Sequence, residues 1–429
     1  MDSLIRQVRI LDPLTRRDQV GDLLIRDGII QAMGESLDHP GNGIREIDGL
    51  GCILGPGLVD LYSQTGEPGY EARETLGQLL TVAAQGGFTR VGILPNTSPA
   101  VDSPAQVVQR LGANGAGRPQ VLPWGAITLG TQGKQLTDLV ELGAAGIVGW
   151  CDGQPLGNGL MVRRLLEYTQ PQSLPMALWP CASADGVEPH GEGVCRDGAD
   201  AVRLGLSALP ATAETTPLAA LLEEVAICQR PVHMMRISTA RSVELIREAK
   251  ARGLPITASV TWLHLLFSTA DLAGYAPSLR LAPPLGTPED REALIAGLED
   301  GTLDAIAVDH STHTYEEKAV PFGIAPAGAI GLQLALPVLW QTFVVTQRWT
   351  ALQLWHYLSL NPAHCLNIEP AVVQVNAPAN LVLFDPAHQW TATATTLGCD
   401  PINTVYGHQI IPGQAKHIWV PASLALQQA

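Results

Sequence analysis

The chain is poor in charge. Of its 429 residues only 16% are charged, and the 26 Lys and Arg fall well short of the 41 Asp and Glu, leaving a net charge of −15. An acidic balance of this kind argues against nucleic acid or an anionic membrane as the main partner. No apolar run approaches the roughly 18 residues needed to span a bilayer. The first residues, MDSLIRQVRILDP, hold no long apolar core of the secretory kind, so a cytoplasmic location is the expectation. There is no CxxC pair either. The seven cysteines, Cys52, Cys151, Cys181, Cys195, Cys228, Cys365 and Cys399, are an odd and scattered set, which points to reduced thiols and not to a disulfide framework. Low-complexity segments and long linkers are absent. What the chain does have is apolar bulk: 46% hydrophobic residues, the composition of a well-buried globular protein. Its length suits one large domain with a small one, or two to three ordinary domains.

The middle of the sequence alternates apolar strand-like runs with helical patterns. The runs cover 57–63, 89–96, 120–128, 145–152, 175–182, 231–238, 255–262 and 303–310. They are near-continuously apolar, as strands buried on both faces should be. Between them lie amphipathic segments such as EARETLGQLLTVAAQGG, GLMVRRLLEYTQ, LAALLEEVAICQ, TARSVELIREAKARG and PEDREALIAGLEDG. In the fourth, Val243, Leu245 and Ile246 form an apolar side, Ser238 and Thr239 supply cap chemistry, and Gly253 can end the helix. In the fifth, Pro288 stands in the first turn.

Eight strand–helix units point to a (β/α)8 TIM barrel; an open doubly wound sheet is the less natural alternative. The flanks read differently, as short strands and turns, with the Asp-Gly of RDGI a hairpin signal. The expected organisation is therefore a small β-sandwich domain from 1–54 and 370–429 beside a barrel over 55–369.

In such a barrel the site lies at the C-terminal ends of the strands. The residues delivered there are Asp60, Tyr62 and Gln64 from the first run, Asn96 from the second, and Cys151 and Asp152 from the fourth. Pro180 and Cys181 follow from the fifth, Arg236 from the sixth, Trp262 and His264 from the seventh, and Asp309, His310 and His313 from the eighth.

PGLVD…EPG…ET…GGFTRVGILPNTSP, STARSVELIREAKARGLPITASVT, PPLGTPEDREALIAGLEDGTLDAIAVDHSTHTYEEK and the closing NLVLFDP together resemble the longer-chain dihydroorotases of the amidohydrolase superfamily. The resemblance runs over nearly the whole chain. It implies a zinc-dependent barrel that interconverts carbamoyl-aspartate and dihydroorotate in pyrimidine synthesis, in many members bound to aspartate transcarbamoylase.

The resemblance also says which residues should carry the chemistry, and most are replaced. The first strand should end in His-x-His followed by an Arg for the substrate carboxylate; the positions hold Tyr62, Gln64 and Gly66. The bridging acid or carboxylated Lys corresponds to Cys151, with Asp152 beside it. The strand 5 His corresponds to Pro180, and the strand 6 His to Arg236. Of the metal ligands only the strand 8 Asp survives, as Asp309, which is also the family's general base. In the substrate shell, Ala282 replaces an Asn and Gly286 an Arg, while Asn96 and His313 remain.

A catalytic zinc needs three or more N, O or S ligands converging on one point. Pro has no side-chain donor, and Arg cannot deprotonate and repels a dication. Without the metal, an attacking water keeps a pKa near 15.7 instead of about 7. The expectation is thus a catalytically silent relative with no metal, kept as a structural or regulatory partner, with aspartate transcarbamoylase the partner the resemblance suggests and a homodimer or hetero-oligomer the expected state.

Two alternatives stand beside it. One is an active cyclic-amide hydrolase whose site is rebuilt from Cys151, Cys181, Cys195, His190, His264, His310 and His313. The other is a metabolite sensor in which Asn96, Arg236 and His313 contact an acid. Isolated Cys and His residues are more often buried structural groups, and His233 reads as a core histidine. Losing the metal would leave Asp309 uncompensated. Either Arg236 pairs with it, with Tyr62 and Gln64 donating hydrogen bonds, or Arg236 reaches solvent and Asp309 bonds backbone donors. Lys318 is expected to cap its loop through an ion pair.

Overall fold

The computed structural model describes residues 2–38, 41, 43–182 and 193–421. His190 lies outside the described residues.

All eight apolar runs of the middle region contain strands. In chain order these are Leu58–Ser63, Phe88–Ile93, Gln120–Gly125, Gly149–Trp150, Ala177–Leu178, Val232–Met234, Ile256–Thr261 and Ala305–Ala307. Each pairs in parallel with its successor within two four-stranded groups. A parallel bridge between Trp150 and Met176 joins the groups. The ring closes where the Asp309 amide donates to Tyr62 O at 3.1 Å and the Gln64 amide to His310 O at 2.8 Å.

Asp60 staples that closing seam. One carboxylate oxygen accepts the Val308 amide at 2.8 Å. The other accepts the Ser63 hydroxyl at 2.5 Å, whose oxygen accepts the His310 amide at 3.0 Å. First and eighth strands are thereby joined by side chains as well as backbone.

The helices between strands end as their sequences direct. Thr239 caps Ala240–Ala251 by accepting the Ser242 amide. Thr287 and Asp290 form a reciprocal capping box on Pro288–Glu299 with Pro288 in its first turn. The barrel interior is packed with Val59, Leu61, Leu122, Trp124, Val148 and Met235 among others. A second, larger cluster fills the space between strands and helices.

Among the described residues, a seven-stranded sheet is built from strands of both chain ends. Ile53–Pro56 sits between Ser3–Asp12 and the long strand Leu381–Thr391. The hairpin at Asp27-Gly28 takes positive φ of 51° and 75° at its two central residues, the requirement of the tight turn expected there. This sheet has its own core around Ile5, Ile10, Leu23, Leu54 and Leu381. No helix among the described residues is long and apolar enough to cross a membrane.

Candidate functional site

At the mouth of the barrel the central feature is an ion pair. Arg236, at the end of the sixth strand, donates from Nε to Asp309 Oδ2 and from Nη2 to Asp309 Oδ1, both at 2.7 Å. Its Nη1 donates to Gly153 O at 3.0 Å. The side chains of Arg236 and Asp309 are 3% and 15% exposed, so water screens the pair little. Burial alone would depress the guanidinium pKa, but the Asp309 charge and its hydrogen bonds outweigh that and raise it. The Trp179 ring lies 4.6 Å from the guanidinium carbon and the Tyr62 ring 5.6 Å, so aromatic faces add cation–π attraction. Both Arg236 and Asp309 adopt left-handed backbone, with φ of 55° and 52°, a conformation that non-glycine residues hold only against a cost.

Tyr62 and Gln64 do not serve Asp309, contrary to expectation. Tyr62 Oη accepts the Arg236 amide at 3.1 Å and meets Ser259 Oγ at 2.9 Å. Ser259 Oγ in turn meets His233 Nε2 at 2.8 Å, and His233 Nδ1 meets Thr257 Oγ1 at 2.9 Å. A polar chain thus runs through the barrel core, and His233 is a core histidine. With Tyr62 donating to Ser259 and Ser259 to His233 Nε2, the Nδ1 proton goes to Thr257 and every member is satisfied by a neutral imidazole. Gln64 accepts from Ser311 Oγ at 3.4 Å.

The remaining candidates are scattered. Cys151 is buried with its Sγ 3.1 Å from the Gly153 amide and 3.3 Å from Met235 Sδ. Burial pushes its thiol up to about 12, so it offers no thiolate. Asp152 faces the loop after the third strand, accepting the Ile127 amide at 2.7 Å and the Thr128 amide at 3.0 Å. Cys181 is buried and its thiol is likewise pushed up to about 12. Pro180 contributes no donor. His264 binds Thr261 Oγ1 and Pro283 O. His310 Nδ1 accepts the Gly331 amide at 3.2 Å, which turns its Nε2 proton toward Thr312 at 3.0 Å and Glu74 at 3.3 Å. His313 Nε2 donates to Ala327 O at 3.0 Å. Among the described residues no group of three or more His, Cys, Asp or Glu side chains is placed to hold a metal ion, so Cys151, Cys181, Cys195, His264, His310 and His313 do not assemble a metal centre among them. The donor set does not fit the zinc that the resemblance implies: Asp309, the one ligand the resemblance gives as retained, is occupied on both oxygens by a guanidinium.

A cavity of about 50 Å³ remains at the mouth, lined by Gln64, Trp179, Arg236, His264, Ala282 and Asp309 among others. That is room for one or two waters. Asn96 and His313, which the resemblance places in the substrate shell, are not among its lining residues. Among the described residues Lys318 makes no ion pair, contrary to expectation. It is fully buried and donates from Nζ to the carbonyls of Pro277, Pro326 and Gly328 at 3.1, 2.8 and 2.6 Å, and so ties down the strap that edges the cavity. Burial and the nearby Arg280 push its pKa down to about 7.

Trp179 and Gly153 were not singled out in the sequence. Trp179 immediately precedes Pro180, so it carried a positional signal. Gly153 acts through its carbonyl, which residue type does not reveal.

Burial pushes His233 and His313 down to about 3 and His264 to about 4. Each therefore stays neutral in the fold while the unfolded chain takes up protons below about 6.5. The stability each contributes is present above that pH and is lost as pH falls toward the folded value. Burial raises Asp60 to about 7 and Asp152 to about 6, which acts oppositely, favouring the fold at low pH and losing that benefit as pH rises through 6 to 7. The imidazoles outnumber the carboxyls, so these groups make the fold acid-labile. Replacing His313 by Gln should flatten the pH dependence of unfolding free energy by about 1.4 kcal/mol per unit between pH 6 and 4. Urea titrations of both proteins at those two pH values check this; an unchanged slope counts against a neutral buried His313.

The fold and the strand-end placement of Asp309 define a barrel of the amidohydrolase type with an attached β-domain. Solved structures agree on the fold: the L-hydantoinase (dihydropyrimidinase) of Arthrobacter aurescens superposes with a TM-score of 0.82 at 19% identity, covering 100% of this chain and 96% of that one. The family described as Dihydro-orotase-like matches residues 51–242. A probable dihydroorotase-like protein of Synechocystis sp. is 42% identical over 95% of this chain and 97% of its own length. The dihydroorotase of Pelobacter propionicus is 34% identical over 97% of both. The chain belongs to the dihydroorotase-like family.

Proposed function

We propose that this protein is a member of the pyrimidine-biosynthetic dihydroorotase-like family that no longer hydrolyses dihydroorotate, and that it acts as a structural or regulatory partner, with aspartate transcarbamoylase as the candidate. The observation that carries the reading is the bidentate Arg236–Asp309 pair. A general base whose two oxygens are held by a guanidinium cannot take a proton from water, and the residues around it cannot lower the pKa of that water as zinc does. The partner rests on the family resemblance. A cavity of about 50 Å³ weighs against a metabolite sensor, since ligand pockets run to roughly 300 Å³ or more.

The test uses one preparation for three measurements: metal content, dihydroorotate hydrolysis with and without chelator, and co-elution with aspartate transcarbamoylase on size exclusion. The expected results are substoichiometric metal, hydrolysis at the buffer rate and a shared peak. Chelator-sensitive hydrolysis would overturn the silent reading. Separate peaks would overturn the partner.

A further inference from the structure

We infer that Arg236 is the resident cation of this barrel: its guanidinium permanently fills the role that the family gives to a metal ion, neutralising Asp309, tying the strand ends together and shutting metal out. The inference deepens the reading above and rests on it only in giving Asp309 no catalytic duty.

The argument begins with charge. Asp309 stands at the end of the eighth strand with little access to water, where a lone carboxylate is costly. In metal-dependent relatives the resemblance gives it a dication. Here the positive charge within hydrogen-bond reach is Arg236, and the geometry is the planar two-bond match of guanidinium to carboxylate.

The second step is connectivity. Metal sites in barrels join several strand ends through one ion. Arg236 does the same through one side chain. It reaches Asp309 at the end of the eighth strand and Gly153 after the fourth. Its face lies on Trp179 after the fifth, and its own amide is fixed by Tyr62 of the first. Five of the eight strands converge on it.

The third step is exclusion. A guanidinium offers a metal no lone pair and does not deprotonate. Tyr62 Oη is committed to Ser259 and the Arg236 amide. The Cys151 sulfur packs against the Gly153 amide and Met235. A cation entering the site would have to expel Arg236 and leave it buried without its carboxylate.

The experiment is a double-substitution cycle on the full chain, R236M, D309N and R236M/D309N, read by thermal denaturation, with zinc and EDTA titrations of the parent. Either single change should lower Tm by about 5 °C, because it strands one buried charge. The double variant should return to within about 2 °C of the parent, because nothing charged is then left unpaired. The parent should show no Tm change with zinc or EDTA and retain no stoichiometric zinc after dialysis. If R236M does not accumulate as folded protein, the double variant and the parent's metal titration decide. A double variant as unstable as R236M, an R236M protein as stable as the parent, or stoichiometric zinc in the parent would each overturn the inference. Hydrolysis of dihydroorotate by protein that shows the expected coupling would overturn the silent reading and leave this one standing. Loss of coupling without hydrolysis would do the reverse.

Discussion

Replacing Gly66 by Arg, the residue that the family resemblance places there, should lower Tm by about 3 °C. A Cβ on Gly66 would lie 2.3 Å from Tyr70 O, 2.5 Å from Glu74 O and 3.0 Å from Glu74 N. Carbon–oxygen contacts normally begin near 3.3 Å, and all three atoms are backbone, which cannot swing aside as a side-chain tip can. The turn is closed further by the Tyr70 amide donating to Gly66 O at 2.6 Å. It is also pinned from the eighth-strand side, by Arg73 donating to Glu317 at 2.9 Å and by Glu74 meeting His310. Overpacking against such a loop costs typically about 1–3 kcal/mol and occasionally more. Thermal denaturation of G66A and G66R against the parent tests this, with G66A isolating the Cβ from the charge. A G66R protein with the parent's Tm would show that the loop opens to admit the side chain. Gly286, the other position where the resemblance expects Arg, is also crowded, here by a side chain as well as backbone: its Cβ would lie 2.6 Å from Asp290 Cβ and 2.9 Å from Ser238 O. At both places that the resemblance gives to Arg, a Cβ would meet atoms already in position.

That crowding marks the limit of what the sequence discloses. The barrel was legible because strands buried on both faces leave near-continuous apolar runs, and every run in the middle region does contain a strand. Their lengths were less legible. The fourth and fifth runs reduce to Gly149–Trp150 and Ala177–Leu178, because an apolar run records burial, and residues leaving a strand toward a packed mouth are as buried as those inside it. That Tyr62, Gln64, Gly66, Cys151, Pro180, Arg236 and Ala282 stand at replaced family positions is what the resemblance implies. Whether Arg236 would turn to Asp309 or to solvent it does not say, since both outcomes suit an Arg at a strand end. The structure supplies what decides it: a carbonyl at Gly153, a ring at Trp179 and Tyr62 holding the Arg236 amide. Asp60 looked like one more strand-end acid and is a seam staple. Lys318 looked like an ion-pair partner and binds three carbonyls. In each case the side chain's partner comes from a distant part of the chain, and residue type alone does not say which.

Glu214→Ala should be among the most damaging single substitutions in the barrel, costing about 4 kcal/mol or more. Glu214 lies in the first turn of Thr212–Cys228 and is buried. Its Oε1 accepts the Ser238 and Thr239 amides at 3.1 Å each and the Thr239 hydroxyl at 3.0 Å, while Oε2 accepts the Ser238 hydroxyl. The buried Arg196 donates to Ser238 Oγ at 2.7 Å and stands 3.8 Å from Glu214 Oε2. Alanine would leave two backbone amides and the Ser238 hydroxyl short of an acceptor and the Arg196 guanidinium without its nearby counter-charge, and each such buried loss costs about 1–3 kcal/mol before relaxation. It would also remove a negative charge from the N-terminus of Ala240–Ala251, where the helix dipole favours one. Glu214→Gln keeps one oxygen acceptor but turns an amide donor toward Ser238 or Arg196, so an intermediate cost is expected. Ser238 is two residues beyond Arg236, and the damage should therefore reach the ion pair. Hydrogen exchange at the amides of residues 236–239 should accelerate in Glu214→Ala even where the rest of the barrel remains protected. Exchange confined to parent rates there, with parent stability, would mean that Arg236 is held by Asp309, Gly153 and Tyr62 alone and needs no support from behind the strand.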